Sequence, residues 1–254
     1  MASKSPNRLD PLITDKERVR RLVALPGVRP AYAERLAQAR VAIVGMGGLG
    51  NPAALYLAAQ GVGHLHIIDP DQIEGHNLGR QVLFSPHELG QDKVMVAQAK
   101  LSHTVPECEI VSHVAELDAA NVDVLLDGVD LVIDGLDRAN PRMVLNDWTV
   151  KTGRPVLFGG AIGYEAQVFG VQGGQPCLYC LFGDLDGADE NCAVSGVLGP
   201  VVGMAAMVQA SEALKILMGV GRTLVGRLWT YDAYALKTRI ITVPPRDDCP
   251  RCTS

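Results

Sequence analysis

Residues 40–71, RVAIVGMGGLGNPAALYLAAQGVGHLHIIDPD, constrain the fold more tightly than any other stretch of the chain. The aliphatic run VAIVG (41–45) enters a glycine cluster, an apolar helix is expected over about 49–60, Gly61 and Gly63 end it, and HLHIID (64–69) reads as a second strand closing on an acid. Strand, glycine turn, helix and second strand form the first half of a doubly wound α/β sheet. Gly45, Gly47 and Gly50 fit G-x-G-x-x-G, with Gly48 additional. Gly45 suits the tight turn, Gly47 and Gly48 leave backbone amides free to approach a phosphate, and Gly50 allows close helix packing. Asp69, at the end of the second strand, and Asp71 beyond it suit a ribose diol. Dehydrogenases and other adenosine-binding proteins share this much, and a tight turn without a ligand uses the same glycines.

The alternation continues. A helix is expected near 91–102, a strand near 109–113, the strand LVIDGLD over 131–137, a helix over about 140–151 and the strand PVLFGGA over 155–161. Strands separated by helices imply a mostly parallel, Rossmann-like sheet covered on both faces. Then the rhythm changes. YEAQVFGVQ (164–172) alternates like an antiparallel strand, LYCLFGDLDGADENC reads as a long acidic loop, GPVVGMAAMVQASEALKILMG (199–219) as a small-residue helix, and two strands near 224–231 and 235–243 precede a cysteine tail. Upstream, residues 14–38 read as two short helices broken by Pro26, Gly27 and Pro30. The expected division is an N-terminal helical arm over 1–38 and one α/β domain over 39–254 with antiparallel C-terminal strands and a metal-binding extension.

Composition narrows the function. With 254 residues, 48% hydrophobic and 20% charged, the chain can bury one large core. No apolar run reaches the roughly 18 to 20 uncharged residues of a spanning helix, and MASKSPNRLD lacks the apolar middle of a secretory signal, so a cytoplasmic protein without membrane contact is expected. A net charge of −5 provides no broad basic field for nucleic acid. Six cysteines are too sparse for a disulfide scaffold. Four of them, Cys177, Cys180, Cys249 and Cys252, form two C-x-x-C pairs, each able to clasp one side of a tetrahedral zinc; redox cysteines or core residues are the alternatives. No open coordination position is apparent nearby, so such a zinc would be structural. Cys108 reads as structural.

In DPDQIEGHNLGRQVLFSPHELGQDKV (69–94), Asn77, Arg80, Gln81 and Lys93 follow the second strand, where a dehydrogenase needs only a short link. A nicotinamide ring has no use for two cations here, whereas a triphosphate does; a solvated helix face is the plainer reading. DLVIDGLDRAN (130–140) sets Asp134 and Asp137 at the carboxyl end of a strand, where an acid can hold magnesium between phosphates or cap the following helix.

Taken in order, G-x-G-G-L-G, D-x-D, N-L-x-R-Q, G-x-x-K, D-x-x-D, C-x-x-C, G-V-L-G-P-V-V-G and C-P-x-C resemble the ThiF/MoeB/HesA family, bacterial relatives of ubiquitin-activating enzymes. The likeness covers about residues 18–252. It implies ATP rather than NAD, and adenylation of the C-terminal carboxylate of a small ubiquitin-fold carrier ending in Gly-Gly, with pyrophosphate leaving. By family position Asp69 holds the ribose, Asn77, Arg80 and Lys93 hold the phosphates, and Asp137 carries magnesium. Arg21 matches an arginine supplied to the partner's phosphates across a homodimer. The family commonly reads R-Y-x-R-Q there, and Val19 and Leu22 depart from it, so Arg18 or Arg20 are alternatives. Cys192 matches a cysteine that bonds covalently to the carrier in sulfur-transfer members and is dispensable in others. The chain ends at Ser254, with no room for a rhodanese-like domain, so a separate sulfur donor is expected. An NAD-linked oxidoreductase on the same fold, and a silent adaptor, are the competing functions.

Overall fold

The computed structural model describes residues 15–174, 176–183, 185 and 196–253. Its frame is one eight-stranded sheet in the order β3-β2-β1-β4-β5-β6-β7-β8. The strands are β1 (Arg40–Val44), β2 (His64–Ile68), β3 (Glu109–His113), β4 (Leu131–Asp134), β5 (Val156–Ile162), β6 (Glu165–Val171), β7 (Arg227–Asp232) and β8 (Lys237–Thr242). The first five are mutually parallel, with Val44 of β1 level with Ile68 of β2 and Asp134 of β4. From β5 to β8 the pairing is antiparallel, as the shift to period-two alternation requires. The chain runs from β1 outward to β3, then returns to place β4 on the other side of β1. That reversal creates a switch point between β1 and β4, where open α/β sheets bind ligands.

Helices cover the two faces: α1 (Asp15–Arg18), α2 (Arg20–Val23), α3 (Pro30–Gln38), α4 (Gly50–Ala59), α5 (Lys93–Thr104), α6 (Val122–Leu125), α7 (Ala139–Thr152), α8 (Leu178–Phe182) and α9 (Gly199–Met218). Alternate β1 residues show why both are needed. Val41 and Ile43 are buried in one cluster with Leu57 of α4 and Ala206 of α9, while Ala42 and Val44 are buried in the other with Leu145 and Trp148 of α7. Central parallel strands buried on both sides read as continuous aliphatic runs for this reason.

Three local expectations are corrected. Pro30 opens α3 instead of breaking a helix, because the first helical position needs no N–H partner. β4 stops at Asp134 instead of running to 137: the Gly135 N–H makes the last ladder bond, to the Val44 carbonyl, and the Asp134 side chain then accepts the Leu136 N–H. The stretch LYCLF is helical because α7 supplies Asn146, whose Oδ1 accepts the Leu178 N–H at 2.7 Å. The helix expected over 199–219 is present as α9, whose 20 residues are long and apolar enough, by length and composition alone, to cross a bilayer. It is nonetheless a core helix here, with Ala205, Ala206, Ala210 and Ala213 packed into the first cluster and Glu212 accepting the Leu224 N–H.

Candidate active site and metal centre

The glycine turn joins β1 to α4 at the switch point. Gly45 has φ +94°, the left-handed region open to glycine, and its N–H donates to the Ile68 carbonyl at 2.8 Å. A Cβ on Gly50 would lie 1.9 Å from the Gly45 carbonyl oxygen, so the helix start can sit against the turn only without a side chain. Gly135, from the loop after β4, approaches the same oxygen: its Cβ would lie 2.5 Å away. The N–H groups of Gly47, Gly48 and Leu49 find no hydrogen-bond partner among the described residues, which leaves a row of donors at the positive end of α4. Beside them Gln81 is buried with its Oε1 unpartnered, and its Nε2 would be 3.8 Å from a Cβ on Gly47. The free N–H groups fit a phosphorylated ligand, and the orphaned Gln81 Oε1, an acceptor, suits a donor such as a ligand hydroxyl or amine.

Lys93 is buried, not solvated. Its ammonium lies 2.7 Å from Asp71 and 3.9 Å from Asp69. Asp69 shapes the turn, accepting the Met46 N–H at 2.6 Å through one oxygen and the Asp71 N–H at 2.8 Å through the other. Burial raises its carboxyl above the ordinary aspartate value, against the pull of Lys93 and of those two amides. The Asp71 carboxylate is open to solvent. Asn77 is the buried last residue of a 3₁₀ turn (Gly75–Asn77), and its Oδ1 accepts from Arg80 at 3.5 Å. The Arg80 stem lies against Gly48, whose Cβ would be 3.2 Å from Arg80 Cγ and 2.7 Å from Val202 of α9. Asn77, Arg80, Gln81 and Lys93 therefore converge on the turn from one side.

From the other side comes the loop after β4. Asp137 is exposed, and no hydrogen bond or ion pair engages its carboxylate among the described residues. Asp134 has a different setting. It is wholly buried, its Oδ2 is 3.1 Å from Nε of Arg142 in an ion pair that falls short of hydrogen-bond geometry, and burial pushes its carboxyl up to about 6 against the guanidinium's pull.

The N-terminal arginines sit elsewhere. Val19 packs against Gly61, at the far end of α4 from the glycine turn. Arg18 is tied to its own chain through the Thr104 carbonyl and Glu107, whereas Arg20 and Arg21 are exposed. A helix the length of α4 spans about 15 Å, so this segment lies about that far from its own chain's turn.

At the opposite face the Sγ atoms of Cys177, Cys180, Cys249 and Cys252 all lie within 4.8 Å of one another. The pairs Cys177–Cys249 and Cys180–Cys252 are 3.6 Å apart and Cys177–Cys180 is 3.9 Å. Four thiolates about 2.3 Å from a tetrahedral zinc would stand about 3.8 Å apart, so the donor set fits that ion and is too wide for disulfides. Arg251, within the tail pair, reaches Asp147 of α7 at 2.6 Å. Cys108 is buried and its thiol is pushed up to about 12, mainly by burial, which fits an inert core residue. Cys192 lies outside the described residues, as do Asp184, Asp186, Asp189 and Glu190 of the acidic stretch.

Three participants were not singled out from sequence: Gly135, Arg142 and Gln209. Gln209 offered a signal, being a polar residue inside the apolar run of α9, and it is fully buried there. Arg142 looked like any charged helix residue.

Residues 19–251 match the ThiF family. The chain belongs to the ThiF family. Among its relatives, the sulfur carrier protein adenylyltransferase of Thermus thermophilus is 37% identical over 93% of this chain and 90% of its own length. The SAMP-activating enzyme E1 of Haloferax volcanii is 36% identical over 94% and 89%. The adenylyltransferase and sulfurtransferase MOCS3 of Drosophila grimshawi is 37% identical, but this chain spans only 54% of it. The ThiF-family fold recurs in the crystal structure of Escherichia coli MccB with ATP, at a TM-score of 0.83 and 23% identity over 95% of this chain and 75% of that one.

Proposed function

We propose that this ThiF-family chain is an ATP-dependent adenylyltransferase that activates the C-terminal carboxylate of a small ubiquitin-fold sulfur carrier ending in Gly-Gly. The observation that carries the reading is the row of N–H groups at Gly47–Leu49, flanked by Arg80 and buried Lys93 on one side and Asp137 on the other, with neither the N–H groups nor the Asp137 carboxylate partnered among the described residues. Adenylation of a sulfur carrier is the activity named for the Thermus relative, which this chain matches over nearly its whole length.

The chemistry is displacement at the α-phosphorus: a carboxylate oxygen of the carrier forms the new P–O bond and pyrophosphate leaves. The protein orients the partners and spreads negative charge. The free amides of the turn, Asn77, Arg80, Gln81 and Lys93 hold the phosphates. Asp69 and Asp71 offer acceptors to the ribose. Asp137 holds magnesium, which neutralises phosphate charge when bound. The four cysteines hold a structural zinc. In this reading residues 1–38 form an arm, 39–254 the adenylation unit, and the enzyme is a cytoplasmic homodimer in which Arg21 serves the partner's site. A separate protein supplies sulfur, and neither nucleic acid nor membrane takes part.

Labelled pyrophosphate should exchange into ATP only with magnesium and a Gly-Gly-ending carrier present. NAD binding without exchange for any such carrier overturns the proposal.

A further inference from the structure

Asp134 and Arg142 stand behind the Asp137 loop and grip it at one residue. The Leu136 N–H donates to Asp134 Oδ1 at 3.1 Å, and the Leu136 carbonyl accepts from Arg142 Nη2 at 2.8 Å. Both polar backbone groups of the residue preceding Asp137 are thus held by one ion pair. The same guanidinium also donates to the Gly159 carbonyl on β5, which anchors it to the sheet. From the opposite face of the sheet Gln209 donates through Nε2 to the carbonyls of Asp134 and Leu157, at 2.7 and 2.8 Å. Between these grips Gly135 rests on the Gly45 carbonyl, where a Cβ would be 2.5 Å from the oxygen.

Residues 134–136 are therefore fixed on both faces, and the chain is released at Asp137. A buried ion pair is a poor device for stability alone, since desolvating two charges cancels much of their attraction and a packed apolar pair serves as well. A planar fork with several donors does something an apolar pair cannot: it sets the position and the tilt of a peptide group.

We propose that Arg142, acting with Asp134, is a positioning residue that aims the Asp137 carboxylate at the metal–nucleotide. The inference rests on the reading that Asp137 holds magnesium. Lysine at position 142 keeps the charge but has one nitrogen where arginine uses two, Nη2 on the Leu136 and Gly159 carbonyls and Nε beside Asp134, so it cannot hold the carbonyls and the carboxylate together in the same geometry. Misplacement of a reacting or metal-binding group by about 1 Å costs on the order of tenfold to a hundredfold.

The test measures ATP affinity by calorimetry across a magnesium titration, with melting temperature recorded for every variant. For Arg142→Lys the affinity in EDTA should equal that of the wild type, while the magnesium needed for half of the metal effect should rise on the order of tenfold. On an Asp137→Asn background, Arg142→Lys should change nothing further, because two residues acting through one group are not additive. Asp134→Asn should move the magnesium dependence in the same direction, and serves if Arg142→Lys does not fold. Wild-type magnesium dependence in a folded Arg142→Lys protein overturns the proposal, as does an undiminished Arg142→Lys effect without Asp137. An equal loss of affinity with and without magnesium overturns it in favour of a merely structural role. If Asp137→Asn alone keeps the wild-type magnesium dependence, the magnesium reading fails first and takes the positioning role with it.

Discussion

Replacing Lys93 by methionine removes the ammonium while keeping most of the stem, and the structure sets the size of the effect. The pair with Asp71 contributes at most about 1 kcal/mol, because that carboxylate is 62% exposed. The pair with Asp69 is another matter: both side chains are nearly buried at 3.9 Å, where an effective dielectric of about 20 gives an attraction of about 4 kcal/mol. Relief of the lysine's own desolvation offsets part of this, so a net loss of about 2–4 kcal/mol near neutral pH is expected. For a chain of this size that is a fall in Tm of roughly 5–15 °C. The loss should depend on pH with a definite sign. Asp69 already sits above the ordinary aspartate value, mainly through burial, and without Lys93 it rises further. The folded variant then binds a proton more tightly than the unfolded chain, so its stability falls as pH rises through that value. Calorimetry at about pH 5 and about pH 8 should show the larger wild-type advantage at the higher pH. Pyrophosphate exchange, measured below both melting temperatures, should drop on the order of a hundredfold or more. An unchanged Tm at both pH values would refute the electrostatic reasoning, and normal exchange per folded molecule would remove Lys93 from phosphate binding.

Cys249→Ser should lower metal content from about one zinc per chain toward none and reduce Tm, because metal binding is coupled to folding; elemental analysis and calorimetry check both. Arg80→Ala should cost exchange on the order of a hundredfold with little change in Tm, since the guanidinium is partly exposed, and near-normal exchange would return it to the solvated face. Asp134, held at about 6 by burial, favours folding most below its unfolded value of 3.8 and loses that contribution as pH rises through about 6. The stability of wild type relative to Asp134→Asn should therefore fall by on the order of 2–3 kcal/mol between those limits, as read from urea midpoints at several pH values.

The sheet and its switch point were legible because each rests on local patterns: aliphatic runs for central strands, alternation for β6, and glycines where backbones meet. The convergence of four cysteines was legible from their spacing alone. What escaped was tertiary. Nothing local distinguishes Arg142 from a solvated helix arginine, because its partners lie on β4, β5 and the Leu136 carbonyl. Lys93 could be read as a phosphate ligand or as surface, and burial between the β2 end and α5 separates the two only in three dimensions. Asp134 and Asp137 look alike in the string DGLD, yet one is sealed behind the sheet and the other is open. The end of β4 was misjudged because the aliphatic pattern carries no record of the turn that Asp134 itself makes.

One oxygen atom forbids side chains at two distant positions: the Gly45 carbonyl would meet a Cβ on Gly50 at 1.9 Å and on Gly135 at 2.5 Å. Since the obstacle is main chain, no replacement at position 45 can relieve it. Drift at 50 or 135 has no side-chain remedy nearby, and the restriction holds whether or not the enzyme turns over. In lineages that abandon catalysis, these glycines should outlast Lys93, Arg80 and Asp137, whose duties end with the substrate. Retained glycines therefore certify the fold, and the charged set around them is the better witness to a living enzyme.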